Sequence, residues 1–311
     1  MNLAAIDVGT NTTLLLVVSA GATGGIEVLA ERAEITRLGR GIGGDGRLGA
    51  EGIARTLAAL RGFAALAREH GARIAAIGTE ALRRAPNAAD FLGPARDALG
   101  TELEVIDGAR EAALTFRAVT ASFPALASGG LAVVDIGGGS TEIVIADDAR
   151  VKFETSLPLG SVRLTERFVR ADPPTAAEID AVTRAVDAAL APVPFPAGAA
   201  SGTAPLVGVA GTVTSLAAMA QGLTSYDPAR VHGYRLGRAD LRRQIDRLRA
   251  ATQAERERIA GLDPRRADVI LAGALILEGV ARAAGVAEIR VSDRGIRWGL
   301  VYEMLEAGPG A

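Results

Sequence analysis

The sequence predicts an α/β fold built from two related halves, and two observations support that prediction. The first is an internal repeat: residues 3–18 and 131–146 align 128 positions apart, with five of sixteen residues identical. Each copy is an apolar run, an Asp-x-Gly turn and a second apolar run, which predicts a strand, a tight turn and a strand. The second is the alternation of strand-like and helix-like segments along the remaining chain. We therefore expect two domains, residues 1–123 and 129–311, that offer their hairpins to a shared cleft.

In the first half, the segments after the hairpin alternate between strand and helix. An apolar run over 26–35 predicts a third strand, and an amphipathic segment over 51–70 predicts a helix that Gly71 ends. Asn87 is predicted to be the N-cap of a helix that runs to Leu99. The other predicted elements are strands over 73–77 and 102–106, a helix over 109–121 and a hinge over 124–130.

In the second half, Thr175-x-x-Glu178 forms a capping box that predicts a helix to about residue 190. A buried strand over 206–210 leads into a third Gly-containing turn and another helix. The other predicted elements are a long helix over 263–284, a strand over 288–291 and a last helix over about 295–306. We expect this last helix to pack back on the first domain.

The composition excludes several kinds of chemistry. Hydrophobic residues make up 49% of the 311 residues, and the net charge of -2 gives no reason to expect a nucleic-acid partner. Without cysteine there is no thiolate zinc site and no Cys nucleophile, and two histidines cannot form a multi-His metal site. The single lysine, Lys152, lies in no glycine-rich loop, so a P-loop is absent. Phosphate chemistry must therefore use backbone amides, hydroxyls, arginines and metal-bound carboxylates.

Neither a leader nor a membrane span is predicted. Asp7 comes early and no basic stretch precedes an apolar run, which argues against a signal peptide. The longest uncharged stretch, 188–226, is broken by prolines and glycines and predicts a loop, a short strand and a turn rather than a span. We therefore expect a cytoplasmic protein without a membrane partner.

The turns of the repeated hairpins predict a phosphate site. Small residues let backbone N–H groups approach phosphate oxygens, and an Asp at the end of each strand is suited to Mg²⁺. A glycine-rich turn with a solvated Asp is the alternative, and the duplication argues against it. The third turn (Gly211 and Thr212) opens a helix, where amides suit an anion, although packing alone also explains such glycines. The first turn contains Gly9, Thr10, Asn11 and Thr12, and the second turn contains Gly137, Gly138, Gly139, Ser140 and Thr141.

Together these residues resemble the exopolyphosphatase / guanosine pentaphosphate phosphohydrolase (Ppx/GppA) family, within the superfamily of actin, Hsp70 and sugar kinases. The resemblance implies two actin-like (ribonuclease H-like) α/β domains with the site in the interdomain cleft. It also implies the short form of the family, without the C-terminal His-Asp-type domain. It covers nearly the whole chain, through motifs at 5–11, 78–83, 107–112, 135–142, 157–163, 208–212, 232–233, 266–268 and 291–297.

The resemblance implies which residues act in catalysis. Glu111 matches the glutamate regarded as the general base that activates water. From the residues alone it is a Glu in the first turn of a helix, where it favours the dipole. Asp135 and Glu142 match acids that bind Mg²⁺ or order the catalytic water.

The resemblance also implies how phosphate is bound. Asp7 matches the acid of the first motif, as a further Mg²⁺ ligand, with Thr10 and Asn11 at the phosphate. Arg83 matches an arginine that we expect to contact the polyanion, with a salt bridge inside the first domain as the alternative. His232 is expected to be a structural hydrogen-bonding residue. The arginine-rich segment 238–258 is predicted to be a solvated helical face, with a polyanion track as the alternative.

The implied activity is Mg²⁺-dependent hydrolysis, with Mn²⁺ as a substitute ion, of the terminal phosphoanhydride of polyphosphate. A guanosine pentaphosphate 5′-phosphohydrolase of the stringent response would use every one of these residues, so both substrates stay open. A small-molecule kinase and a non-catalytic sensor of guanosine tetraphosphate or polyphosphate are the alternatives from other classes. The family also makes a homodimer an expectation.

Overall fold

The computed structural model describes residues 1–21, 25–42, 45–195 and 204–308. The chain divides into two compact units: Met1–Ala118 together with Ile296–Ala311, and Val119–Gly295. Each unit combines one mixed β-sheet with helices, which confirms the predicted α/β class. The loop predicted within 188–226 falls in part outside the described residues. None of the helices in the described ranges is long and apolar enough to cross a membrane.

The first unit contains a five-stranded sheet among its described residues. Its strands are β1 (Asn2–Val8), β2 (Thr13–Ala20), β3 (Ile26–Glu34), β4 (Arg73–Gly78) and β5 (Leu103–Val105). The strand order is β3-β2-β1-β4-β5, with antiparallel pairs among β1 to β3 and parallel pairs on the other side of β1. The helices are α1 (Ala50–Glu69), α2 (Glu80–Arg84), α3 (Ala89–Leu99) and α4 (Gly108–Ser122).

The second unit contains a six-stranded sheet among its described residues. Its strands are β6 (Leu131–Ile136), β7 (Thr141–Asp147), β8 (Arg150–Leu157), β9 (Leu206–Val209), β10 (Arg235–Gly237) and β11 (Glu288–Val291). The strand order is β10-β11-β9-β6-β7-β8. The helices are α5 (Pro124–Ala127), α6 (Ser161–Phe168), α7 (Ala176–Leu190), α8 (Ala210–Ala220), α9 (Pro228–Val231), α10 (Arg238–Ala250), α11 (Gln253–Arg256) and α12 (Ile270–Ala283).

The two sheets repeat one topology. The strands β3-β2-β1-β4-β5 correspond to β8-β7-β6-β9-β11, with the same parallel and antiparallel pairs, and β10 is an additional edge strand. The same hydrogen bond closes the two hairpin turns: Gly9 N donates to Thr12 O at 3.1 Å, and Gly137 N donates to Ser140 O at 3.0 Å. The repeat seen in the sequence is therefore a repeat of structure.

The central strands of the first unit are buried on both faces, which explains their nearly continuous apolar sequence. Side chains alternate across the sheet. One face of β1 and β2 packs into the core with α1 and α3 through Ala4, Ile6, Val8, Leu15 and Val17. The other face carries Leu3, Ala5, Leu16 and Val18 and packs against α13 (Ile296–Ala307), the last helix of the chain.

The last helix α13 belongs to the core of the first unit. Trp298, Leu300 and Val301 are buried with residues of β1, β2 and α4. Two hydrogen bonds of 2.7 Å and 2.6 Å join the guanidinium of Arg110 on α4 to the carboxylate of Glu303. These contacts hold α4 and α13 together. The first unit therefore combines residues 1–118 with a segment that begins only at residue 296.

Replacing Gly299 with alanine is expected to destabilise the first unit. A Cβ at this position would lie 2.6 Å from the carbonyl carbon of Leu114, because α13 packs directly on the backbone of α4. We expect the free energy of unfolding to fall by about 1–3 kcal/mol. The matched control is Gly62→Ala on α1, where nothing lies within 4 Å, and which is expected to raise it by about 0.5–1 kcal/mol. Urea titrations followed by circular dichroism test both, and a Gly299→Ala midpoint at or above the wild-type one would contradict the packing argument.

Two predicted helix starts are wrong, each for a physical reason. Asn87 is not an N-cap, because its side chain pairs with Leu48: Leu48 N donates to Asn87 Oδ1 at 2.8 Å, and Asn87 Nδ2 donates to Leu48 O at 3.2 Å. The N-cap position of α3 is occupied by Ala88, whose side chain makes no capping hydrogen bond. The helix predicted from residue 263 begins only at Ile270, because Asp263 caps a separate 3₁₀ turn.

Candidate active site

The first turn lies at the end of β1, where Asp7 is buried with an exposed fraction of 8%. Thr10 and Asn11 are buried too, and their carbonyl oxygens accept hydrogen bonds from the segment after β3. Gly39 N donates to Thr10 O and Arg37 N to Asn11 O, each at 2.9 Å. This turn is therefore held at a fixed position against the rest of its unit.

Glu80 is a buried carboxylate at this turn that the sequence analysis did not single out. Thr10 Oγ1 donates to its Oε2 at 3.3 Å, and Arg84 donates to its Oε1 at 3.0 Å. Glu80 begins α2, and only Thr79 separates it from the end of β4, the parallel neighbour of β1. An acid just after an apolar strand that pairs with β1 is the sequence signal that could have indicated it.

Glu111 lies in the first turn of α4, as predicted, and Asp107 directly precedes this helix. Asp107 Oδ1 accepts from Arg110 N at 2.8 Å. The Glu111 side chain is 12% exposed, and its Oε2 lies 3.4 Å from the guanidinium of Arg83. Arg83 also donates to the carbonyl oxygen of Ile106 at 2.7 Å. The salt bridge within the first unit, the alternative for Arg83, thus exists, while contact of Arg83 with substrate stays a prediction.

In the second unit, Asp135 and Glu142 are cross-strand neighbours on β6 and β7, and Ser156 follows in register on β8. Residues directly opposite one another point to the same face of a sheet. Glu142 is buried, and Ser156 Oγ donates to its Oε1 at 2.7 Å. In the first unit Leu14 pairs with Asp7 at the equivalent place, so the pair of carboxylates belongs to the second unit alone.

In the second turn, the carbonyl groups of Gly137, Gly138 and Gly139 accept hydrogen bonds from the start of α6. The donors and acceptors are Ser161 N to Gly137 O (3.0 Å), Val162 N to Gly138 O (3.0 Å) and Arg163 Nε to Gly139 O (2.7 Å). In a trans peptide the N–H points opposite to the C=O of the preceding residue. Within the described residues the one cis peptide lies elsewhere, between Asp172 and Pro173.

It follows that the N–H groups of Gly138, Gly139 and Ser140 point away from α6. Successive backbone N–H groups that are turned to one side form a concavity that binds anions. The sequence predicted a phosphate turn here. The structure adds the reason for its orientation, which is the packing of α6 against its carbonyl side.

Gly160 permits that packing. A Cβ on Gly160 would overlap the carbonyl groups of Gly138 and Gly139, so only glycine lets α6 start this close to the second turn. Thr141 Oγ1 donates to Leu159 O at 2.6 Å and fixes the same junction from the other side. The motif at 157–163 was recognised in the sequence, but no local pattern indicates which backbone this glycine meets.

The third turn brings Gly211 against Arg266. A Cβ on Gly211 would lie 2.6 Å from the guanidinium carbon of Arg266, so this cation lies against the first turn of α8. Burial lowers the pKa of Arg266, and an arginine remains charged regardless. Positive charge at a helix N-terminus is unfavourable by itself and becomes favourable with an anion. Thr212 is buried and packs against Gly273 of α12, so its predicted contact with phosphate stays a prediction.

Comparisons with known proteins identify relatives along the whole chain. The model of the Ppx/GppA phosphatase family matches residues 16–307. Exopolyphosphatase 2 of Mycobacterium tuberculosis is 39% identical over 320 residues, which cover 97% of this chain and 98% of that protein. The guanosine-5'-triphosphate,3'-diphosphate pyrophosphatase of Photobacterium profundum is 32% identical, over 97% of this chain and 59% of that longer protein.

Solved structures show the same relationship. An exopolyphosphatase from Cytophaga hutchinsonii has a TM-score of 0.90 at 29% identity and covers 99% of both chains. The Ppx/GppA enzyme of Aquifex aeolicus has a TM-score of 0.81 at 34% identity, with 98% of this chain and 99% of that one covered.

Proposed function

Because the chain belongs to the Ppx/GppA phosphatase family, we propose that it is an exopolyphosphatase, which hydrolyses the terminal phosphoanhydride of inorganic polyphosphate and releases orthophosphate. The observation that carries the proposal is the second turn, where three consecutive N–H groups face one side at the end of a strand that bears Asp135. Such a turn suits a terminal phosphate, whose charge grows in the transition state.

Each side chain has one task in the proposed reaction. The oxygen of water attacks the terminal phosphorus, and Glu111 takes the proton of that water while Arg83 orients its carboxylate. The bridging P–O bond breaks, and its electron pair leaves with the shortened polyphosphate chain. The N–H groups of the second turn stabilise the phosphoryl oxygens, and Arg266 with Gly211 binds a further phosphate.

We propose Mg²⁺, with Mn²⁺ as a substitute, as the cofactor. The oxygens of Asp135 and Glu142 fit a hard cation, and Asp7 would add a further carboxylate. No three His, Cys, Asp or Glu side chains are clustered for a metal within the ranges that the structure describes. This agrees with Mg²⁺, which takes one or two carboxylates and otherwise uses water and substrate phosphates. When bound, the ion would neutralise phosphate charge.

Replacing Ser156 with alanine is expected to weaken metal binding. Ser156 holds one oxygen of Glu142, and removal of such an outer partner costs about 10–100-fold in metal affinity. We expect the Mg²⁺ concentration at half-maximal phosphate release to rise by about that factor. The rate of phosphate release at saturating Mg²⁺ should change less. Calorimetric titration with Mn²⁺ measures the affinity without turnover. The matched control is Ser128→Ala at an exposed site, and equal half-saturation in both variants would remove Ser156 from the metal site.

Guanosine pentaphosphate is the second candidate substrate, favoured by the similarity to the Photobacterium profundum protein. Its hydrolysis would use the same groups on a terminal phosphate and would place the protein in the stringent response, in the cytoplasm. A homodimer is proposed from the family alone.

Phosphate release from the purified protein with Mg²⁺ tests the proposal. Long polyphosphate, short polyphosphate, guanosine pentaphosphate and ATP are compared in parallel, with metal removed by a chelator as the negative control. Release from polyphosphate at the highest kcat/KM supports the exopolyphosphatase, and a preference for guanosine pentaphosphate supports the second candidate. Tight binding of these anions without turnover would leave a sensor, and phosphate transfer from ATP to a sugar would indicate a kinase.

A further inference from the structure

The chain passes between its two units twice, after Ala118 and after Gly295. The first passage lies inside α4, the helix that carries Glu111 in its first turn. The second passage follows β11 and precedes α13. Near each passage, on the side of the second unit, a residue contacts the same side chain, His232.

The contacts of His232 are specific. Its ring stacks on that of Phe123, which directly follows α4, with the ring centroids 4.9 Å apart and an angle of 16° between the planes. Its Nδ1 accepts a hydrogen bond from Asp293 N at 3.3 Å. An accepting Nδ1 requires the neutral ring with its proton on Nε2. One neutral imidazole thus contacts the chain beside both passages.

The same cluster extends to the third turn. The hydroxyl of Tyr226 donates to the carboxylate of Asp293, and Tyr226 lies close to Arg266, whose guanidinium lies against Gly211. The contacts therefore run through the second unit from the end of α4 to an expected phosphate position.

We propose that neutral His232 is a positioning residue, which clamps both passages of the chain onto the second unit and thereby fixes the helix that bears Glu111. Its effect on catalysis rests on the function proposed above, because it depends on Glu111 being the general base. The clamp itself does not depend on that function.

The charges around His232 determine how the clamp depends on pH. Burial lowers the pKa of His232, and the cation of Arg294 lowers it further, while the carboxylate of Asp293 raises it in opposition. The hydroxyl of Tyr226 donates to the carboxylate of this Asp293. In an unfolded chain the pKa of histidine is about 6.5. Because the pKa of His232 in the folded protein lies below that value, the stabilisation given by neutral His232 is complete above about pH 6.5. It is lost as the pH falls through the folded pKa. Protonation places a hydrogen on Nδ1, which can then no longer accept from Asp293 N.

Hydrogen exchange tests the clamp without substrate. In His232→Ala we expect the protection of amides 119–122, at the end of α4, to fall about fivefold, since one hydrogen bond and a ring contact are lost. His70→Ala, at the other histidine of the chain, is the control and should change nothing there. In the wild type the same amides should lose protection on the acid side of neutrality. Unchanged protection in His232→Ala would overturn the proposal.

The pH profile of phosphate release tests the link to catalysis. His232→Gln keeps an acceptor for Asp293 N but cannot titrate, so it should retain kcat at pH 7.5 and lose the acid limb that the wild type shows. His232→Ala should lower kcat more than it changes KM, and glutamine should rescue much of that loss. An identical acid limb in wild type and His232→Gln would overturn the positioning role. If the wild type releases no phosphate while the exchange result holds, the proposed function fails and the clamp stands.

Discussion

Glu111→Gln is expected to lower kcat for phosphate release by about 10²–10⁴-fold, the usual cost of removing one general base. Glutamine keeps the size of the side chain and can still contact Arg83, so folding and substrate binding should change little. The guanidinium of Arg83 lies 3.4 Å from Glu111 Oε2 and also donates to Ile106 O at 2.7 Å, so the Ile106 bond continues to hold Arg83 in the variant.

The matched control for this variant is Glu102→Gln, a solvent-exposed glutamate just before β5, which should retain full activity. Measurements of kcat and KM with polyphosphate, together with a thermal unfolding curve, separate chemistry from stability. If Glu111→Gln turns over at the wild-type rate, the base is another carboxylate, and Glu80, buried beside Thr10, is the next to replace.

Gly160→Ala is expected to lower kcat/KM by about 10²-fold or more, without any change in a charged or hydrogen-bonding side chain. Its new methyl group would overlap Gly138 and Gly139, so either α6 or the second turn must move. A displacement of about 1 Å at a reacting phosphate costs about 10²-fold in rate. The strain should also lower the free energy of unfolding by about 1–3 kcal/mol.

The control for this variant is Gly129→Ala, also in the second unit, where nothing lies within 4 Å of the added methyl group. Activity and urea unfolding are measured for both variants at a temperature where each is folded. Wild-type kcat/KM in folded Gly160→Ala would mean that the second turn does not determine the rate.

Much of the fold could be predicted because its information is local. The repeat around Asp7 and Asp135 follows from two apolar runs and a small-residue turn, and the capping box at Thr175 and Glu178 is present as predicted. Both depend on neighbours in sequence. The prediction for Asn87 was wrong because its side-chain oxygen accepts a hydrogen bond from Leu48, a residue far away in sequence, and not from the start of α3.

The site is predictable only in part, for the same reason. Glu111 came from family resemblance, because a glutamate in the first turn of a helix is ordinary by itself. Gly160 matters because carbonyl groups of the second turn lie where a side chain would be, and Glu80 matters because it accepts a hydrogen bond from the hydroxyl of Thr10. No spacing along the chain encodes such contacts. For Arg83 the sequence suggested a contact with the substrate, whereas the structure shows that its guanidinium donates to Glu111, the proposed base.

The way α13 completes the first unit has a consequence for synthesis on the ribosome. The strands of the first unit leave the exit tunnel early, yet the part of their sheet face that α13 covers stays exposed until residues 296–307 have been made. Nascent chains stalled before residue 296 should therefore expose that apolar face and bind chaperones. The only tryptophan of the chain, Trp298, is buried in the seam that closes last, so its fluorescence reports the moment at which the amino-terminal half becomes complete.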